Sequence, residues 1–78
     1  MRYVYLLTNA TRSHYIGSTE DLNARLALHN AGRVPSTAQH RPWIIHLALR
    51  FTDDHRANEF EQYLKSGSGR AFAKSHFW

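Results

Sequence analysis

One stretch limits what this chain can become: Tyr3 to Gly32, YVYLLTNATRSHYIGSTEDLNARLALHNAG. It begins with a period-2 run, Tyr3-Val4-Tyr5-Leu6-Leu7, which puts Tyr3, Tyr5 and Leu7 on one face of a strand. A polar turn from Thr8 to Ser13 leads to a second short strand, His14-Tyr15-Ile16-Gly17. The turn is short enough for an antiparallel hairpin, which makes Tyr5 and Tyr15 cross-strand neighbours on the same face. Ser18 and Asp21 then have the spacing of a capping box, opening a helix that Gly32 stops.

That helix carries an anomaly. At ~100° per residue, Leu22, Arg25, Leu26 and His29 fall within one narrow arc, so an arginine and a histidine share the core-facing side with two leucines. A charged group placed there needs a partner or a task, because burying it alone is costly.

Beyond the helix, Arg33 to Arg41 reads as a loop broken by Pro35, either solvated or facing phosphate. Trp43 to Phe51 reads as the longest strand, with Trp43, Ile45, Leu47, Leu49 and Phe51 on one face and Ile44, His46, Ala48 and Arg50 on the other. Thr52 or Asp53 caps a second helix running to about Lys65, whose apolar arc holds Ala57, Phe60 and Leu64, with Glu61 among them. Glu59 points the other way, into solvent. Gly67 ends this helix, and Ser68 caps a short third one carrying Arg70 and Lys74 in a tail without acids. Each of the two longer helices thus puts ionisable groups on its packing face. Two explanations are open: an Arg25–Glu61 ion pair tying the helices together, or one site lined by Tyr5, Tyr15, Arg25, His29 and Glu61.

Length and composition narrow the chemistry. Seventy-eight residues leave room for one domain, 1–78, and no second core. The expected class is α/β, in stricter terms α+β, a three-stranded antiparallel sheet flanked by helices. With no cysteine there is no disulfide, thiolate zinc site or cysteine nucleophile, and the absence fits a cytoplasmic protein. No apolar run approaches the ~18–20 residues needed to span a membrane, and the N-terminus reads as a strand rather than a signal peptide. None of the six histidines forms a His-x-x-x-His pair, which argues against zinc. Four of the six acids (Glu20, Asp21, Asp53, Asp54) sit at helix starts, where they complement the helix dipole. The net charge is +4 and eight of the ten bases are arginine, whose planar fork suits phosphate oxygens and points toward nucleic acid.

Taken in order, Val4-Tyr5-Leu6, Tyr15-Ile16-Gly17, Arg25, His29, Thr37-Ala38, Arg41-Pro42-Trp43 and Glu61-x-x-Leu64-Lys65 resemble the GIY-YIG nuclease superfamily, in particular its small standalone bacterial members. The second triplet matches letter for letter; in the first, Val4 stands where the family name has Gly and only Tyr5 is in place. No asparagine follows Asn58, whereas larger members carry a late one near the metal. The resemblance implies phosphodiester hydrolysis of DNA, or alternatively RNA, at a single Mg²⁺ or Mn²⁺. It makes Glu61 the metal ligand and Arg25 the group that neutralises the transition-state phosphate. Tyr5 is then the general base, with its pKa lowered by a nearby cation. Tyr15 bonds phosphate or water, and His29 holds Tyr5 or relays a proton. Arg33, Arg41, Arg70 and Lys74 are expected to contact the nucleic-acid backbone. So small a domain has little surface for selecting DNA, so a homodimer or a protein partner is expected to help. The alternative is a nucleic-acid-binding module of the same fold with little or no cleavage.

Overall fold

The computed structural model describes residues 1–78. Its elements follow in the order β1 (Arg2–Thr8), β2 (His14–Thr19), α1 (Leu22–Asn30), β3 (Ile44–Phe51), α2 (Asp54–Lys65) and α3 (Gly67–His76), with one short 3-10 turn at Ala38–His40. The sheet is antiparallel in the order β2-β1-β3, so β1 is central and β2 is an edge. The expected α+β class, with a three-stranded antiparallel sheet and helices on both sides, is what forms.

β1 is buried on both faces, and its alternation divides the core in two. Val4 and Leu6 join Ala57 and Leu64 of α2 and Ala73 of α3, with Ile16, Leu47 and Phe51 packed against them. Tyr5 and Leu7 face the other way and join Trp43, with Tyr15, Leu22, Leu26 and Ile45 around them. A fully buried side chain such as Leu6, Leu7 or Leu64 contributes roughly 1.5–3 kcal/mol. Val4, at the position of the family glycine, therefore points away from the Tyr5 side and costs it no room.

The long third strand departs from simple alternation. Leu6 pairs with Leu47 but Leu7 pairs with Ile45, leaving His46 as an extra residue in the ladder. This bulge moves Ile45 onto the Tyr5 side while Leu47 and Phe51 stay on the α2 side, so the expected single apolar face of Trp43 to Phe51 is split. A one-residue slip flips every side chain beyond it. The strand serves two cores.

Two helix starts also differ from expectation. Ser18 remains in β2, where its Oγ accepts from Arg2 Nε at 2.6 Å, and Asp21 itself caps α1 by accepting from Ala24 N at 3.0 Å. Gly32, at φ +76°, ends the helical region as expected. Asp53, not Thr52, caps α2. Ser66, not Ser68, caps α3: its backbone closes α2 onto Tyr63 O while its Oγ accepts from Gly69 N at 3.2 Å. Gly67 thus opens α3 instead of ending α2.

Gly69 is buried where α3 turns against the end of α2, and a Cβ there would collide with the Tyr63 carbonyl and the Leu64 backbone. Gly67 has open space around the same construction. Gly69→Ala is therefore expected to cost about 1–3 kcal/mol, an overpacking penalty against backbone that cannot move aside. Gly67→Ala is expected to gain a few tenths up to about 1 kcal/mol from helix propensity. Thermal unfolding of the two variants should shift in opposite directions, by roughly 4–8 °C per kcal/mol.

Candidate functional site

Tyr5 lies across β2. Its register partner is Gly17, and a Cβ on Gly17 would overlap the Tyr5 phenol oxygen and Cζ. The glycine of Tyr15-Ile16-Gly17 is thus a gap that a neighbouring tyrosine fills. Tyr15, paired with Leu7, is diagonal to Tyr5 rather than directly opposite, with ring centroids 6.3 Å apart. From above, α1 brings down Arg25 and His29 on the arc anticipated from spacing. His29 packs edge-on to both tyrosine rings, at 4.9 Å from Tyr15 and 5.8 Å from Tyr5.

A chain of hydrogen bonds runs through these residues. Arg25 Nε donates to the Tyr5 phenol oxygen at 3.4 Å, that oxygen lies 2.9 Å from His29 Nε2, and His29 Nδ1 lies 2.8 Å from Thr37 Oγ1. Thr37 Oγ1 reaches Val34 O at 3.3 Å. Burial decides where the protons sit. Tyr5 is 2% exposed, so its hydroxyl needs an acceptor within the protein, and His29 Nε2 is the one in reach. His29 then carries its proton on Nδ1 and donates to Thr37, which donates onward to Val34. Every buried side-chain polar atom is satisfied.

Thr37 was not anticipated as a member. Its loop looked solvated or phosphate-facing, yet Thr37 is 1% exposed and turned inward. Trp43 Nε1 donates to Thr37 O at 3.0 Å, and Asn30 clamps the Trp43 backbone with its amide nitrogen and oxygen at 3.0 and 2.7 Å. The signal that could have found Thr37 was present in the ordered match, through Thr37-Ala38 and Arg41-Pro42-Trp43.

Arg25 by itself does not lower the Tyr5 pKa below the ordinary value. Burial raises the Tyr5 pKa above its ordinary 10.0, and the hydrogen bond from Arg25 opposes this without winning. Arg25 itself is raised by that bond. His29 is lowered from 6.5, first by burial and then by the Arg25 charge, so it stands neutral at physiological pH.

Glu61 stands apart from the other four. Its helix packs on the Val4–Leu6 side of the sheet, opposite the Tyr5 ring. No ion pair joins it to Arg25: its Oε2 pairs with Lys65 Nζ at 2.8 Å, while Arg25 is given to Tyr5. The sealed Arg25–Glu61 pair is therefore overturned; hydrogen bonds and ring contacts join Tyr5, Tyr15, Arg25 and His29, and none joins Glu61 to them. Glu61 still acts on the Tyr5 phenol, as the smallest of the influences on its pKa. Its side chain is 16% exposed and its Oε1 has no hydrogen-bond partner. One free carboxylate oxygen suits a hard cation that keeps most of its waters, and no group of three or more such ligands forms anywhere in the chain, at Glu61 or away from it.

The four backbone-binding candidates separate. Arg41 is exposed but spends Nε on Ala38 O at 2.7 Å and lies over Gly32. Arg33 is exposed with no side-chain bond, and Arg70 and Lys74 stand exposed on α3 beside the β2 edge. No helix is long and apolar enough to cross a membrane.

The chain is similar to a UPF0213 protein of Lacticaseibacillus paracasei, 41% identical over 64 residues that cover 81% of this chain and 72% of the relative. No solved structure matches it. The family model described as the GIY-YIG catalytic domain matches residues 1–74, which takes in both strand motifs, the buried tyrosine–histidine pair and the helix of Glu61; the chain belongs to the GIY-YIG family.

Proposed function

We propose that this protein is a metal-dependent endonuclease that hydrolyses phosphodiester bonds of DNA. The observation that carries this reading is the buried chain Arg25–Tyr5–His29–Thr37. In it a guanidinium and a neutral imidazole meet on the same phenol oxygen, which supports a phosphate-binding cation beside a proton acceptor. A purely structural buried tyrosine needs the acceptor but has no need of the guanidinium.

Burial keeps the Tyr5 phenol protonated against the pull of Arg25, and in this reading the base works as a relay. Arg25 turns from the Tyr5 oxygen to a phosphate oxygen, which frees the phenol oxygen toward water. As that oxygen takes a proton from the attacking water, its own proton passes to the neutral His29 Nε2. Thr37 holds the ring in the tautomer that can accept it. The imidazolium that results keeps its Nδ1–H on Thr37. Arg25, now on the phosphate, offsets the charge that builds there. Tyr15, half-buried beside His29, is placed to bond the phosphate or the water. Glu61 would hold Mg²⁺ or Mn²⁺ through its free oxygen, and such an ion supplies charge neutralisation at the phosphate and the leaving oxygen.

Glu61→Gln is expected to lower DNA cleavage in Mg²⁺ by at least about 10²-fold, the scale for losing one electrostatic contributor. Fold and DNA affinity should stay close to wild type, since an i,i+4 pair with Lys65 contributes only about 0.3–0.5 kcal/mol. Full cleavage by a folded Glu61→Gln protein would remove Glu61 from the site.

The relay also sets the pH dependence. Neutral His29 is the proton acceptor, so cleavage is present above its folded pKa and is lost as pH falls through it. Because that pKa is depressed, the acid limb should lie below 6.5, the ordinary histidine value. Thr37→Val removes the acceptor of Nδ1–H. It should lower kcat across the plateau and shift the acid limb to lower pH, with KM little changed. An unmoved pH profile in a folded Thr37→Val protein would confine Thr37 to structure.

A further inference from the structure

A groove of about 570 Å³ runs along the open edge of β2, between that strand and α3. The volume falls within the roughly 300–1,000 Å³ of small-ligand clefts. Ile16, Leu64, Ala73 and Trp78 form its apolar part, and Arg70 and Lys74 line it as cations. The Trp78 indole is stacked on His14 at 3.7 Å and 4° and on His46 at 5.0 Å and 23°, a held aromatic group that lines the groove. No acid lines it. Neither the Arg70 nor the Lys74 side chain has a hydrogen-bond or ion-pair partner, so their charge is uncommitted.

The groove meets the candidate site twice. Tyr15 lines it and also packs on His29, and Lys65 lines it while holding Glu61. Whatever lies in the groove continues toward the residues assigned to the chemistry.

We infer that this groove is a binding track for unpaired nucleotides, taking bases against Trp78 and the apolar residues and backbone phosphates against Arg70 and Lys74. The complementarity is specific to an unpaired strand. Free cations match phosphate, and an apolar wall in which the half-buried Trp78 indole lines the groove matches a base that is not already stacked in a duplex. A blunt duplex offers the phosphates but keeps its bases inside. The inference deepens the nuclease reading and rests on it for the direction of the track: it makes the substrate DNA with a single-stranded segment next to the scissile phosphate.

The test uses the full chain in EDTA, so that binding is read without cleavage. The probes are a short mixed-sequence single strand, the same sequence as a blunt duplex, and an abasic strand of equal length. Trp43 is sealed at 3% exposure, so a change in tryptophan emission reports Trp78. The single strand should quench that emission and bind on the order of tenfold more tightly than the abasic strand, the scale of losing one base stack. Arg70→Glu combined with Lys74→Glu, both at exposed positions, should weaken the single strand by at least about tenfold with circular dichroism unchanged. Equal binding of abasic and normal strands with unmoved emission would overturn the inference. So would a groove that responds only to an acidic peptide or to a second copy of the chain. Parallel cleavage assays in Mg²⁺ separate the two readings. Base-dependent binding without cleavage of any substrate leaves the groove and removes the nuclease. Cleavage of blunt duplex that ignores the double variant leaves the nuclease and removes the groove.

Discussion

The contact on which the site depends is the hydrogen bond between the Tyr5 phenol and His29 Nε2, made in a space almost closed to water. It requires three things at once. Gly17 must lack a side chain so that the phenol can cross β2. His29 must be neutral and correctly protonated, which burial and Thr37 arrange. The α1 helix must be anchored so that the ring stays in place, which Asn30 achieves by gripping the Trp43 backbone. Remove any one of these and the tyrosine is left as a buried hydroxyl without an acceptor, a cost of about 1–3 kcal/mol before any chemistry is considered.

A two-sided central strand makes this affordable in so short a chain. Val4 and Leu6 anchor α2 and α3, while Tyr5 and Leu7 build the site, and the bulge at His46 lets β3 supply apolar groups to both sides. The main core and the buried tyrosine–histidine chain thus occupy opposite faces of one sheet, with Glu61 carried by a helix on the core side. The arrangement leaves β2 as an open edge, and that edge is where the two faces come together. There Tyr15 belongs to the site on one side and to the basic groove on the other.

Charge is distributed with the same economy. The buried face holds no carboxylate, so Arg25 is unpaired by any acid and leans on the phenol. A cation bound that loosely is available to an incoming anion, which a sealed ion pair with Glu61 would have prevented. Glu61 lies off the aromatic cluster, tied to a half-exposed Lys65, with one oxygen free.

Much of this was legible in the residues themselves, because it follows from periodicity. The alternation of Tyr3 to Leu7, the hairpin, the arc of Leu22, Arg25, Leu26 and His29, and the position of Glu61 on α2 are local geometry, set by the repeat of a strand or a helix. The glycine of Tyr15-Ile16-Gly17 was visible as a letter, but its reason was not, since the group that needs its space is twelve positions away in β1. Tertiary structure alone decided three matters. The bulge at His46 depends on how β3 registers against β1, which no pattern within β3 records. The inward turn of Thr37 depends on His29 being there to meet it. The net direction of the Tyr5 pKa depends on burial outweighing Arg25, and burial is a property of everything packed around the ring. Short-range rules place a side chain on a face; only the assembled fold determines what that face meets.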